Sequence, residues 1–295
     1  MPAVSDYQAI SLGEWRVMLR SALWNLDLQK KVFELVDRQP WAKHPQTLLF
    51  RSPSGAPGTA YYLKVFHPSK GSTAFKDVFR SSKALRAWRQ GLALNEAGFE
   101  VPLTIAVGEQ RRFRILRRAF LLTRGVDAEP LHIFLHGLLE SGESKVLLAR
   151  KREELKRLAG LIRQFHFKGF VHGDLVASNI LVADGNGRAN FYLMDNDRTR
   201  HYPCWLPQSL WRRNLVQLNR MPLPGITLQD RMRFFHAYRG TRQLTNADRD
   251  LARWLERQTR RRRQECDGAE ASGDFRRLMS WSPHFRKSSD VPRFG

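Results

Sequence analysis

The segment His172-Gly173-Asp174-Leu175-Val176-Ala177-Ser178-Asn179 places a carboxylate five residues ahead of an amide. A short apolar run, Ile180-Leu181-Val182, follows at once. Sixteen residues after Asn179, a second carboxylate, Asp195, closes another apolar run, Phe191-Tyr192-Leu193-Met194. This order suits phosphoryl transfer from ATP. One carboxylate orients the acceptor hydroxyl, an amide and a second carboxylate hold magnesium, and an upstream lysine holds the phosphates. Lys64, inside the run Tyr61-Tyr62-Leu63-Lys64-Val65-Phe66, is the candidate lysine.

Each of these side chains also has an ordinary use. Asp174 could cap a turn, Asn179 could satisfy loop backbone, and Lys64 could be a solvent-facing strand lysine. The amphipathic stretch before Asp174 and the hairpin signal after Asn179 favour the chemical use. His172 is expected to fix loop geometry through hydrogen bonds rather than to react. His166 reads as a packed histidine at a helix end. Asp195 comes directly off its strand and is the better metal ligand. Asp197 is either a second ligand or a partner for Arg198 or Arg200. Magnesium takes oxygen ligands and keeps several waters, so one or two carboxylates suffice. No Walker-type run with its Lys-Ser or Lys-Thr occurs, which disfavours a P-loop enzyme.

The elements that must position these residues follow from periodicity. Residues 11–40 read as a helix, with Trp15, Met18, Leu19, Ala22, Leu23 and Leu26 near helical spacing. Residues 47–50 and 61–66 read as a hairpin around the Gly- and Pro-bearing run 52–58. Residues 81–97 return to helix and stop at Gly98. Two more strands are expected over 101–107 and 113–123. Helices are expected over 127–140 and 144–168, the second with Leu155, Leu158, Ile162 and Phe165 on one face. Asp184-Gly185-Asn186-Gly187 marks a turn between strands 180–183 and 190–194. After Arg200 the chain reads as mainly helical to about Arg263. The implied organisation is an N-terminal part, 1–125, with a helical extension over 1–40. A C-terminal part, 126–263, carries the Asp174 loop, and a loose tail occupies 264–295.

Composition sets outer bounds. The chain has 295 residues and 42% hydrophobic content, enough for a globular core. Its two cysteines, Cys204 and Cys266, lack metal-like spacing, so a disulfide framework or structural zinc is not expected. Residues 1–10 show no secretory pattern, and a cytoplasmic location is the default. Fifty basic residues against 28 acidic give a net charge of +22. That field favours an anionic partner such as a phosphorylated glycolipid or an acidic membrane surface. The pairs Arg111-Arg112, Arg117-Arg118 and Arg212-Arg213 and the run Arg260–Arg263 cluster the charge. No nucleic-acid module accompanies them, so nucleic acid is the weaker partner.

His172-Gly173-Asp174-Leu175 to Asn179, Leu193-Met194-Asp195-Asn196-Asp197-Arg198 and Tyr62-Leu63-Lys64 resemble the bacterial lipopolysaccharide kinase family. Further similarity runs from Arg80 to Gly98 and through Asn214-Leu215-Val216-Gln217-Leu218 to Phe235. It spans most of residues 45–255. The resemblance implies an α+β, protein-kinase-like two-lobed fold. A small N-terminal lobe would hold an antiparallel sheet and one helix, and a larger C-terminal lobe would be mainly helical. It further implies a kinase using ATP and magnesium to phosphorylate heptose or Kdo of the lipopolysaccharide inner core. Such an enzyme would sit peripherally on the cytoplasmic face of the inner membrane. Asp174 would be the catalytic base, Asn179 and Asp195 magnesium ligands, and Lys64 the ATP phosphate anchor. One departure stands out. Kinase-like folds pair that lysine with a glutamate on the next helix, and 81–97 offers Ala84, Arg86, Ala87 and Trp88 there. Two other readings stay open: a small-molecule or protein kinase of the same fold, and a non-catalytic kinase-like module that binds membranes.

Overall fold

The computed structural model describes residues 6–51, 59–68, 80–140, 145–185, 187–203, 205, 209–220, 226–241 and 243–267. The expected loop at 52–58 and most of the expected tail lie outside these residues. Two compact units emerge. Among the described residues, one contains the chain up to Asp127 together with Asp195–Arg198, and the other contains Ala128–Met194 and the chain from Thr199 to Asp267.

The first unit is built on an antiparallel sheet. In chain order its elements are β1 (Gln8–Leu12), β2 (Trp15–Leu19), α1 (Leu26–Arg38), β3 (Gln46–Arg51), β4 (Ala60–Phe66), α2 (Lys83–Glu96), β5 (Thr104–Arg112) and β6 (Ile115–Arg124). The strands are ordered β1-β2-β5-β6-β4-β3. The expected helix over 11–40 is therefore wrong in its first half. Gly13, at φ 59°, turns the chain, and Trp15, Val17 and Leu19 alternate into the core. That period of two outweighs the accidental three-to-four spacing of Trp15, Met18 and Leu19. The helix proper begins at Leu26, after Asn25 accepts a hydrogen bond from the amide of Leu28 as its cap. The strand expected at 101–107 likewise starts only at Thr104.

The two faces of the sheet carry separate cores. Leu28, Val32 and Val36 of α1 pack against Trp15, Val17, Tyr61, Leu63, Val65 and Phe120. Ala84, Trp88 and Leu92 of α2 pack with Phe66, Val107, Leu116 and Ala119. Alternation along β4 thus sends Leu63 and Val65 to the α1 core and sets Lys64 on the face that carries Phe66. Buried Glu109 on β5 accepts from the Ser82 amide (2.6 Å) and from Arg111 (2.9 Å), which anchors the start of α2. Burial pushes the Glu109 carboxyl upward, but the Arg111 and Ser82 donors outweigh it and hold it below its usual range.

The second unit contains β7 (Glu129–Pro130), α3 (Leu131–Glu140), α4 (Lys145–Phe167), β8 (Phe170–Val171), β9 (Ile180–Gly185), β10 (Arg188–Leu193) and β11 (Arg200–His201). It continues with α5 (Ser209–Asn219), α6 (Leu228–Arg239) and α7 (Asn246–Asp267). The helix expected from 127 starts four residues later because Glu129 and Pro130 pair with Val182 and Leu181. Helix α7 runs on to Asp267, past the expected end of regular structure near Arg263. β9 and β10 form a hairpin with Gly185 opposite Arg188. Leu155, Leu158, Ile162 and Phe165 all lie buried on α4. Lys151 of α4 bonds Asp230 of α6 at 2.8 Å, with both side chains almost fully buried.

Candidate active site

In the first unit, Lys64 donates to Asp195 Oδ1, linking residues 131 positions apart. Asp195 adopts φ 59°, a left-handed conformation that aspartate tolerates better than most side chains. The following turn, Asn196–Arg198, packs on α2. Asp197 sits there, and burial together with the Asp195 charge pushes its carboxyl above the usual range. Lys64, Arg198 and Lys83 oppose that rise. Helix α2 turns Ala84, Ala87 and Trp88 into the core, and Lys64 finds its carboxylate at Asp195. The departure at the expected glutamate is thus answered within the described residues by the acid that follows β10.

In the second unit, the Asp174 loop is held by a hydrogen-bond lattice. Gly169 precedes it at φ 82°, where any Cβ would run into the Tyr202 carbonyl oxygen, so only glycine fits. Strands β8 and β11 then pair across Val171 and Arg200. His172 is buried and spans the loop: its Nδ1 accepts from the Asp174 amide (3.0 Å), and its Nε2 lies 2.8 Å from the Met194 carbonyl. An acceptor at Nδ1 leaves Nε2 as the protonated nitrogen, donating to Met194. Asn179 donates from Nδ2 to the Asp174 carbonyl at 2.9 Å, and its own carbonyl accepts from the Met194 amide. The chain passes directly from Met194 to Asp195.

Helix α5 braces this loop with two side chains one turn apart. Asn214, fully buried, accepts from the His172 amide (2.9 Å) and donates to the His172 carbonyl (2.6 Å). Gln217 donates to the Gly173 carbonyl (3.2 Å), accepts from the Leu175 amide (3.3 Å), and reaches Asp174 Oδ1 at 3.5 Å. The Asn214 carbonyl oxygen also meets His166 Nε2 at 3.2 Å, and His166 Nδ1 meets the Tyr238 hydroxyl at 2.9 Å. Burial lowers the His166 imidazole to about 4, against a smaller opposing effect of Asn214. Burial also raises the Tyr238 phenol to about 12. His166 is therefore a neutral link between α4, α5 and α6. Ala177 of the loop also lines an apolar cavity of about 400 Å³ with Leu131, Leu155, Leu215 and Phe235.

Lys64, Asp195 and Asp197 thus gather in one unit, and His172, Asp174 and Asn179 in the other. The roles of Asn214 and Gln217 were not foreseen from the sequence. Their signals in the sequence are the Asn214–Leu218 segment of the family resemblance, which assigns them no role, and the i, i+3 spacing of two amides on a helix with an apolar face.

The model of the lipopolysaccharide kinase (Kdo/WaaP) family matches residues 58–238, more than half of the chain. Among solved structures, WaaP in complex with acyl carrier protein is similar at 19% identity and a TM-score of 0.62. That match covers 84% of this chain and 99% of WaaP. A Toxoplasma gondii specific rhoptry antigen kinase domain matches at 16% identity, over 82% of this chain and 92% of its own, with a TM-score of 0.36. No curated protein sequence matches the chain.

Proposed function

The chain belongs to the lipopolysaccharide kinase (Kdo/WaaP) family, and from that premise we propose how it works as a sugar kinase of the lipopolysaccharide core. It transfers the γ-phosphoryl group of ATP, with magnesium, to a heptose or Kdo hydroxyl of the inner core. It does so while peripherally bound at the cytoplasmic face of the inner membrane, where an anionic glycolipid complements the +22 charge. The observation that carries this reading is the Lys64–Asp195 ion pair, which unites the two distant residues that a kinase needs beside its phosphates.

The donor set suits magnesium. Asn179 spends its Nδ2 on the Asp174 carbonyl, and its Oδ1 has no hydrogen-bond partner among the described residues. An amide oxygen and a carboxylate from Asp195 are the hard ligands that this cation takes, and Asp197 is a further candidate. When bound, magnesium neutralises charge on the transferring phosphates. Lys64 would hold those phosphates on the face of β4 that it shares with Phe66. Asp174 would accept a hydrogen bond from the sugar hydroxyl and align its oxygen for attack. His172, Asn214 and Gln217 would fix the backbone from which Asp174 projects. Catalysis on these terms is positioning and charge stabilisation.

The test is magnesium-dependent ADP release with dephosphorylated inner-core lipopolysaccharide as acceptor. Asp174→Asn is expected to cut acceptor-stimulated turnover by about 10²–10⁴-fold with no loss of thermal stability. Unchanged turnover would remove Asp174 from this role. No stimulation of the unsubstituted protein, with lipopolysaccharide still bound, would favour the non-catalytic binding module.

A further inference from the structure

The β5–β6 hairpin extends past both of its neighbours in the sheet. β2 pairs with β5 only as far as Gln110, and β4 pairs with β6 only from Ala119 onward. Residues 111–118 therefore continue as a two-stranded ribbon. Arg112 pairs with Ile115, and Phe113 and Arg114 form the two-residue turn between them. Both turn residues have positive φ, 50° and 66°. A turn of this kind favours Asn-Gly, because side chains larger than those of Asn or Asp are sterically disfavoured there. Neither Phe nor Arg is a residue that this turn favours. Strain held at an exposed tip points to something the tip must do.

The side chains there have a common character. Phe113 is 86% exposed and Ile115 is 44% exposed, although both are large and apolar. The Arg112 guanidinium lies 5.7 Å from the centre of the Phe113 ring. Arg112, Arg114 and Arg117 are exposed and make no ion pair among the described residues. Arg111 and Arg118, further back, are engaged by Glu109 and Asp37. An exposed aromatic ring with one guanidinium over it, on a tip whose other arginines form no ion pair among the described residues, suits the boundary between headgroups and acyl chains. There the ring takes up apolar contacts and the guanidinium groups reach phosphates. A nucleic acid could also meet the charge, but strand-binding surfaces offer successive aromatics along a groove rather than one at a hairpin tip.

We propose that the Arg112–Ile115 tip is a membrane-insertion element that seats Phe113 in an anionic lipid surface. The inference rests on the peripheral membrane location proposed above and names the part of the chain that makes contact. It is tested by sedimentation of the full chain with vesicles of phosphatidylcholine mixed with phosphatidylglycerol. The key variant replaces Phe113→Asn and Arg114→Gly together, the pair this turn prefers. Melting temperature should stay level or rise, while vesicle partitioning falls by about tenfold or more. Turnover on a delipidated, water-soluble core acceptor should not change. Phe113→Trp should keep binding and gain emission that brominated acyl chains quench. If the unsubstituted protein ignores the vesicles, the membrane location and the hairpin role fall together. If it binds and the double variant binds equally well, only the hairpin role falls. Loss of RNA binding with vesicle binding intact would likewise overturn it.

Discussion

Asp195 combines two demands in one residue. Its carboxylate takes Lys64, and its backbone occupies the left-handed region. Asparagine meets the second demand without the first, because its short polar side chain also tolerates positive φ. Asp195→Asn is therefore expected to abolish acceptor-stimulated ADP release while leaving the melting temperature near that of the unsubstituted protein. Asp195→Ala should lose the same activity and, in addition, about 1 kcal/mol of stability, because its methyl group keeps the Cβ crowding of the left-handed region without the short polar side chain that offsets it, read by denaturant unfolding. Equal stability of the two variants would argue against strain at this residue. The sequence made the chemical side of Asp195 legible, because a carboxylate closing an apolar run is a visible pattern. Its pairing with Lys64 was not legible. The kinase-like pattern points to α2, where the expected acid is missing, and no local pattern marks an ion pair between residues 131 positions apart.

At the scale of elements, α5 does for the loop what a backbone strand could not. The buried amide and carbonyl of His172 both end on Asn214. Asn214→Ala would remove these two bonds and the one to His166 Nε2, at a cost of roughly 1–3 kcal/mol for each buried group that finds no replacement. Turnover should fall in the folded fraction as well, since Asp174 would lose the frame from which it projects. Denaturant unfolding and ADP release on the same preparation check both effects. Normal turnover with reduced stability would make α5 a purely structural support. The long helices and the β9–β10 hairpin were readable because their apolar periods persist over many residues or end in glycine. The N-terminal strands were not, because five-residue elements present too few positions to separate a period of two from one of 3.6. Asn214 and Gln217 escaped a role for a different reason. A buried amide on a helix has the same letter code as an exposed one.

For the molecule as a whole, acid stability is set in part by His166. Its folded-state imidazole titrates at about 4, against an ordinary value of 6.5. As pH falls through 6.5 the unfolded chain gains a proton that the folded chain refuses. The contribution is therefore complete above pH 6.5 and is lost progressively toward pH 4, to an extent on the order of 3 kcal/mol. Chemical denaturation at pH 7 and at pH 5 should show a steeper loss for the unsubstituted protein than for His166→Gln. Equal slopes would assign the acid sensitivity to other groups, such as the self-repulsion of a +22 chain. The first unit is also discontinuous along the polypeptide, since Asp195–Arg198 returns to it after the chain has entered the second. A gene fragment ending at Asp127 would encode every strand of the six-stranded sheet and still omit the carboxylate of Lys64. Recombination can therefore exchange the sheet as a cassette only if it also carries a short stretch of coding sequence from far downstream. The unit that holds the Lys64–Asp195 pair is inherited in two pieces or not at all.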